Sequence, residues 1–218
     1  MHITQQDIKN FESQYRARLI NSLSGYKSAN LIGTISDQGQ TNLSIVSSVF
    51  HIGADPALVG MLMRPHSVPR HTLENILQTK YYTINQVSAE FWQQAHQTSA
   101  RYEQTVSEFS AVGLQEEYLA PCIAPFVQQS KLKYALELRE VVTLAINNTE
   151  LVIGEISDII VDEQALRKDG FIDLSCLNTL SITSLDSYHT SQRLGRLSYA
   201  KPGIQPKKLD LDGEEIEV

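Results

Sequence analysis

The chain has 218 residues, with 18 Lys and Arg against 25 Asp and Glu, a formal net charge of -7, 42% hydrophobic residues, 11 Gly and 7 Pro. That composition belongs to a globular chain with its own core and excludes collagenous, coiled-coil and wholly disordered proteins. The acidic balance argues against a nucleic-acid or anionic membrane surface, both of which need dense Lys and Arg.

In chain order, Ile8, Phe11, Tyr15 and Leu19 recur at spacings of three and four and predict one N-terminal helix, opened by a Thr4 cap with Asp7 three residues on. Ser28 to Ser36 reads as a strand, Asp37 to Gln40 as a hairpin turn, and Thr41 to Ile52 as the partner strand. Ala57 to Met63 is a further apolar strand. The basic, proline-bearing loop from Arg64 to Arg70 feeds a short helix, Thr72 to Gln78, and Tyr81 to Val87 is a strand. Ser88 is placed to cap a helix carrying Phe91, Trp92 and Ala95, and the polar stretch near 88–120 reads as an excursion from the main body. Leu132 to Ile146 and Leu151 to Asp162 form a long hairpin turning at Asn147-Asn148-Thr149-Glu150, and the remainder reads mostly as loop.

Six or so strands with few, short helices between them favour a mainly β fold, an antiparallel barrel with flanking helices, over a doubly wound parallel sheet. One domain over 1–205 is expected, followed by an acidic tail over 206–218. No GxGxxG follows the first strand and no Walker A motif occurs. Cys122 and Cys176 stand 54 residues apart without a CxxC and read as buried or half-buried thiols. The N-terminus lacks an apolar signal core, and no stretch approaches the roughly 18 apolar residues of a membrane span, so a soluble, cytoplasmic protein is expected.

No GxSxG or HExxH is present, and the six His are scattered; His66 and His71 lack the third and fourth ligands of a closed metal site. An enzyme built on this chain borrows its chemistry from a cofactor. Asn42, Ser44 and Ser48 share one face of their strand, either a ligand face for a flat, hydrogen-bonding molecule or a solvent-facing one. Arg64, His66, Arg70 and His71 gather ahead of a helix start whose N–H groups favour an anion, with Thr72 and Asn75 one turn apart; this is a phosphate site in outline or a solvated basic loop.

The run GQTNLSIVSSVFHIGADPALVGMLM followed by RHTLENILQTKYYTIN resembles the flavin reductase-like FMN-binding proteins. Ser107-Glu108-Phe109, Ala124 to Ser130, Val152 to Ile156 and Arg193 to Pro202 agree in order and spacing. The resemblance implies a split β-barrel that dimerises, holds FMN near the subunit interface and passes hydride from NAD(P)H to it, with a monooxygenase or electron-transfer partner. It also admits an FMN electron carrier, or a flavin- or haem-binding module without catalysis. Carried over by position, Asn42, Ser44, Ser47 and Ser48 border the flavin ring and ribityl chain. Arg70, His71, Thr72 and Asn75 match the phosphate-proximal stretch and Asn85 the strand-end Asn; Arg64 is added from charge. This chain departs from the pattern at Ser44-Ile45, where the family has Ala-Pro, and at His71, where it has Asp.

Phe91 and Trp92 read as core or dimer interface, and Arg193 and Arg196 as surface or salt-bridge residues. Tyr102, Tyr188 and His189 are placed to approach a neighbouring subunit's flavin. The net charge does not oppose a phosphate-bearing cofactor, because five acids lie after Leu209, where no Lys or Arg occurs, leaving 18 basic against 20 acidic residues before it.

Overall fold

The computed structural model describes residues 1–65 and 68–216, so His66, Ser67, Glu217 and Val218 lie outside the described residues. Thr4 opens the first helix through a reciprocal box: its hydroxyl accepts from the Asp7 N–H at 3.2 Å, and the Asp7 carboxylate accepts from the Thr4 N–H at 2.8 Å. Where the spacing predicts one helix there are two, α1 (Gln5–Asn10) and α2 (Ser13–Ser22). The Glu12 carboxylate accepts from the Gln14 and Tyr15 N–H groups, so a side chain takes the donors a continuous helix would use.

Strands β1 (Lys27–Ser28) and β2 (Asn30–Ile35) lead through a turn at Gly39 (φ 85°) into β3 (Thr41–Val46). The predicted partner strand breaks at Ser47 and Ser48, and β4 (Val49–Ala54) turns away to pair with β5 (Ala57–Met63). Then follow α3 (His71–Thr79), β6 (Tyr81–Gln86), α4 (Trp92–Gln97) and α5 (Glu108–Val112). Ser88 does not cap α4 but bridges to Thr179, and α4 starts after Phe91 without a side-chain cap. Short β7 (Glu116–Glu117) and β8 (Phe126–Val127) precede the long hairpin β9 (Leu132–Leu144) and β10 (Thr149–Val161), which turns with Asn148 at φ 56°.

The remainder is more ordered than the sequence suggests. Strands β11 (Leu180–Thr183) and β12 (Ser187–Thr190) form a hairpin that pairs with β1, and β13 (Arg196–Leu197) pairs with β14 (Lys208–Leu209). Residues of the acidic stretch fold back on that last pair, the Asp210 N–H donating to the Glu214 carbonyl at 2.9 Å.

The main sheet is antiparallel throughout, in the order β3-β2-β6-β9-β10-β5-β4. Its two edge strands are consecutive in the chain and joined only by Ser47 and Ser48, so the sheet must curl until its edges meet at that corner. Bulges near Ile153/Gly154, Ile156/Asp158 and His51/Gly53 supply the extra twist. Inside the curl, Ile32, Met61, Tyr82, Ile84, Leu136 and Val152 pack with Leu73 and Ile76 of α3, which closes one end. On the outer face, Leu31 and Leu43 pack with Phe91, Phe109, Leu180 and Ile182 from the later helices and hairpin.

Tyr82 is fully buried, its hydroxyl finds no hydrogen-bond partner among the described residues, and a Cβ at Gly154 would stand 2.2 Å from it. Burial holds its phenol well above the usual range. Removing an unsatisfied buried hydroxyl is stabilising by about 1 kcal/mol, so Tyr82→Phe is expected to raise Tm by roughly 2–4 °C. A fall in Tm by calorimetry would contradict this.

Arg193 and Arg196 do form ion pairs, Arg193 with the buried Asp173 at 2.6 Å and Arg196 with Asp169, its guanidinium also lying 4.3 Å from the Phe171 ring centroid. Arg167 reaches Asp173 at 3.3 Å. The Arg193 hydrogen bond is the main cause holding the Asp173 carboxyl below its ordinary 3.8. A depressed folded pKa contributes stability that is present above that ordinary value and lost as pH falls below it. The fall in Tm below about pH 4 is therefore expected to be shallower in Asp173→Asn than in the unmodified protein; parallel Tm curves would contradict the assignment.

Cys122 is buried, and burial pushes its thiol up, whereas Cys176, expected to be at least half-buried, is exposed in the turn after Asp173. Phe91 is in the core, while Trp92 stays 38% exposed and lies against Tyr188, ring centroids 5.3 Å apart.

Candidate functional site

The β2/β3 register sets Thr34 opposite Asn42 and Ile32 opposite Ser44. Period two then puts Thr34, Asn42 and Ser44 on the face crossed by α3, whose Leu73 and Ile76 anchor it in the core. Thr72 and Asn75, both 5% exposed, come down onto those strands. The Thr72 hydroxyl donates to Asn42 Oδ1 at 2.8 Å and lies 2.8 Å from Ser44 Oγ, and Asn75 Nδ2 donates to Thr34 Oγ1 at 3.1 Å.

From the other side α5 brings Glu108, 5% exposed. Its Oε2 accepts from Asn42 Nδ2 at 2.7 Å and from the Leu43 N–H at 2.9 Å. Because β3 is an edge strand, that N–H has no strand partner on its outer side, and the carboxylate serves instead. Thr41 Oγ1 is 2.7 Å from both Ser107 Oγ and Glu116 Oε1, tying the same excursion to the strand start.

A cavity of about 210 Å³ opens beside this network, lined by Asn42, His71 and Asn75 and by Ser36, Gln40 and Thr105 opposite. At the start of α3, Arg70 occupies the cap position without capping through its side chain; its own N–H donates to Glu74 Oε1 at 3.0 Å. Arg70 Nε is buried and without a hydrogen-bond partner among the described residues. An uncapped helix start beside an unpaired guanidinium donor is a donor set suited to anionic oxygen. Among the described residues, no group of three His, Cys, Asp or Glu is arranged to hold a metal ion.

The structure thus joins Asn42, Ser44, Thr72 and Asn75 in one network, with His71 in the adjoining cavity and Arg70 at the helix start. Ser47 and Ser48 are half-buried at the corner between the sheet edges, where the Ser48 carbonyl accepts from the Leu62 N–H at 3.0 Å. Arg64 is exposed beyond the end of β5. Asn85 is not brought to the cluster. Its register opposite Leu31 turns it to the other face, where Nδ2 donates to the Leu31 carbonyl and Thr83 Oγ1 and Oδ1 accepts from the Val127 N–H.

Tyr188 and His189 lie on β12, Tyr188 OH 2.9 Å from His96 Nδ1 and His189 Nε2 2.9 Å from Thr183 Oγ1, while Tyr102 accepts from Gln97 Nε2 at 3.2 Å. Burial raises the Tyr188 phenol to about 12. Thr34 and Glu108 were missed as site residues. Glu108 stands in the quoted Ser-Glu-Phe segment, but nothing there signals that it reaches a strand 65 residues earlier.

A family model described as flavin reductase like domain matches residues 23–176. A crystal structure from Shewanella frigidimarina NCIMB 400, described as a flavin reductase with split barrel domain, superposes with TM-score 0.89 at 57% identity, covering 92% of this chain and 100% of that one. Nitrilotriacetate monooxygenase component B from Bacillus cereus shares the fold at TM-score 0.80 and 15% identity, covering 90% of this chain and 98% of that one. Flavoredoxin of Desulfovibrio vulgaris (Miyazaki F) does so at 0.68 and 20%, covering 82% and 92%.

Proposed function

The chain belongs to the flavin reductase-like family, and from that premise we propose that it binds FMN along β3 and the start of α3 and reduces it with hydride from NADH or NADPH. The observation that carries this reading is the buried Arg70 Nε, without a hydrogen-bond partner among the described residues, at the start of α3, where Arg70 makes no side-chain cap, next to the polar network on β3. Arg70 and the first N–H groups of α3 would hold the phosphate, and His71 would line its approach. Asn42, Ser44, Ser47 and Ser48 would meet the ring and ribityl edges. FMN bound there supplies hydride acceptance at its ring and onward electron transfer. The chain's own part is to bind and orient; positioning a nicotinamide against the ring is a proximity effect and asks for no acid or base from the protein.

A cavity of about 210 Å³ is smaller than the roughly 300–1,000 Å³ of common ligand pockets, which supports a homodimer whose second copy completes the groove. The apolar side chains left for such a contact include Phe50 and Ile52 on edge strand β4, 43% and 40% exposed, while α1 and α2 bury none of their residues. Among the described residues no helix is long and apolar enough to cross a membrane, and both cysteines are free thiols, which suits a reducing cytoplasm. A monooxygenase or electron-transfer protein that consumes reduced flavin is the partner proposed.

Steady-state oxidation of NADH or NADPH tests the reading. Oxidation should require added FMN, with riboflavin, which lacks the phosphate, a poorer substitute. Oxidation that is no faster with the protein than without it would overturn the reductase reading.

A further inference from the structure

We propose that Glu108 is a positioning residue that, through Asn42 and Thr72, locks the Ser44 hydroxyl as a pure hydrogen-bond acceptor, so that the ligand group met by Ser44 must be a hydrogen-bond donor rather than a carbonyl. The chain of reasoning is a count of protons. A carboxylate only accepts, so the Asn42 amide must turn Nδ2 toward Glu108, 2.7 Å away. That leaves Oδ1 toward Thr72, which is 2.8 Å away and has one proton to give. With the Thr72 proton committed there, the 2.8 Å contact between Ser44 Oγ and Thr72 Oγ1 can be bridged only by the proton of Ser44. Ser44 then keeps lone pairs alone for anything placed on its open side.

The rest of the network agrees with this direction. Asn75 Nδ2 donates to Thr34 Oγ1 at 3.1 Å, freeing the Thr34 proton to point at Asn42 Oδ1, although at 3.5 Å that contact is weak. The amide of Asn42 therefore receives protons only at Oδ1 and gives them only at Nδ2, and both ends oppose a flip. Thr72 and Asn42 are buried, at 5% and 7% exposure, so water does not compete freely for these groups. Ser44 is half-buried, with part of its side chain left open.

The proposal rests on the reading that FMN lies along β3. A flavin offers two carbonyls, which a freely rotating serine could satisfy as donor, and ring N–H groups, which an acceptor satisfies. One ring N–H, N3–H, is present in both redox states; a second, N5–H, exists only after reduction. The shared chemistry is a hydrogen-bond donor, and redox state separates N5–H from the donors present in both states, N3–H and the ribityl hydroxyls.

The test is a double-mutant cycle on FMN affinity, read by flavin fluorescence, with Ser44→Ala, Thr72→Val and the pair. Ser44→Ala is expected to weaken binding about tenfold, one hydrogen bond's worth, in both redox states where the donor is present in both and for reduced FMN alone where it is N5–H. Thr72→Val, which removes the proton acceptor for Ser44, should weaken binding several-fold, and the pair should match Ser44→Ala alone. Thr72→Ser restores the relay and should restore affinity, which keeps the test decisive if the valine variant folds poorly. Redox potentiometry on Ser44→Ala then assigns the source: a midpoint shift of about 30 mV per tenfold difference between oxidised and reduced affinity marks N5–H, and an unchanged midpoint with tenfold weaker binding marks a donor present in both states. Full affinity of Ser44→Ala for both oxidised and reduced FMN, or additive losses in the pair, would overturn the relay. A parent protein that does not bind FMN at all would overturn the functional reading and the relay's ligand with it.

Discussion

Glu108→Ala is expected to lower the unfolding free energy by about 2–4 kcal/mol, the largest single loss outside the apolar core. The carboxylate is 5% exposed and accepts from two buried donors, Asn42 Nδ2 and the Leu43 N–H. Deleting it orphans both, and an orphaned buried donor costs about 1–3 kcal/mol, more than an average hydrogen bond contributes, because its desolvation is no longer offset. The neighbouring cavity lets water recover part of that cost, which sets the upper limit. In urea denaturation the midpoint should fall at unchanged slope; a change below about 1 kcal/mol would show that the two donors find other partners.

The second large effect is on ligand affinity. Arg70→Met should weaken FMN binding roughly tenfold or more, while riboflavin affinity stays the same. A charge-assisted hydrogen bond contributes about 1.5–3 kcal/mol, and the lower end applies because Arg70 is only half-buried and partly screened by water. Among the described residues its Nε has no hydrogen-bond partner, so the substitution removes no bond seen there, and stability should hardly change. Equal losses for FMN and riboflavin, measured by fluorescence titration, would place Arg70 away from the phosphate.

Much of the architecture is legible before any coordinates, and the reasons are local. β5 is an apolar run, β9 and β10 are long runs joined by an Asn-Asn turn with β10 rich in Val and Ile, and α3 has apolar residues three apart on one side, Leu73 and Ile76. The capping box at Thr4 is a contact between neighbours in sequence. What the residues do not announce depends on distant partners. Alternation continues through Ser47 and Ser48, so nothing local tells that β3 stays with β2 while β4 leaves for β5. The four-residue strands β11 and β12 are too short and polar to stand out, and pairing with β1, more than 150 residues earlier, orders them.

The candidate site divides the same way. Asn42, Ser44, Thr72 and Asn75 follow from strand alternation and helix position, and the structure joins them. Asn85 satisfies the same alternation, but period two does not say which face looks toward the helix, and its register puts it on the other one. Glu108 is a carboxylate at the start of a five-residue helix, and its meaning arises only because α5 folds back over the edge of β3.

FMN held at this site is expected to accept hydride from a nicotinamide, and anaerobic mixing of the FMN-loaded protein with NADH or NADPH measures that step. The flavin absorbance should bleach within the mixing experiment with at least one of the two nucleotides. A flavin that stays oxidised with both and bleaches only on adding dithionite would contradict the claim.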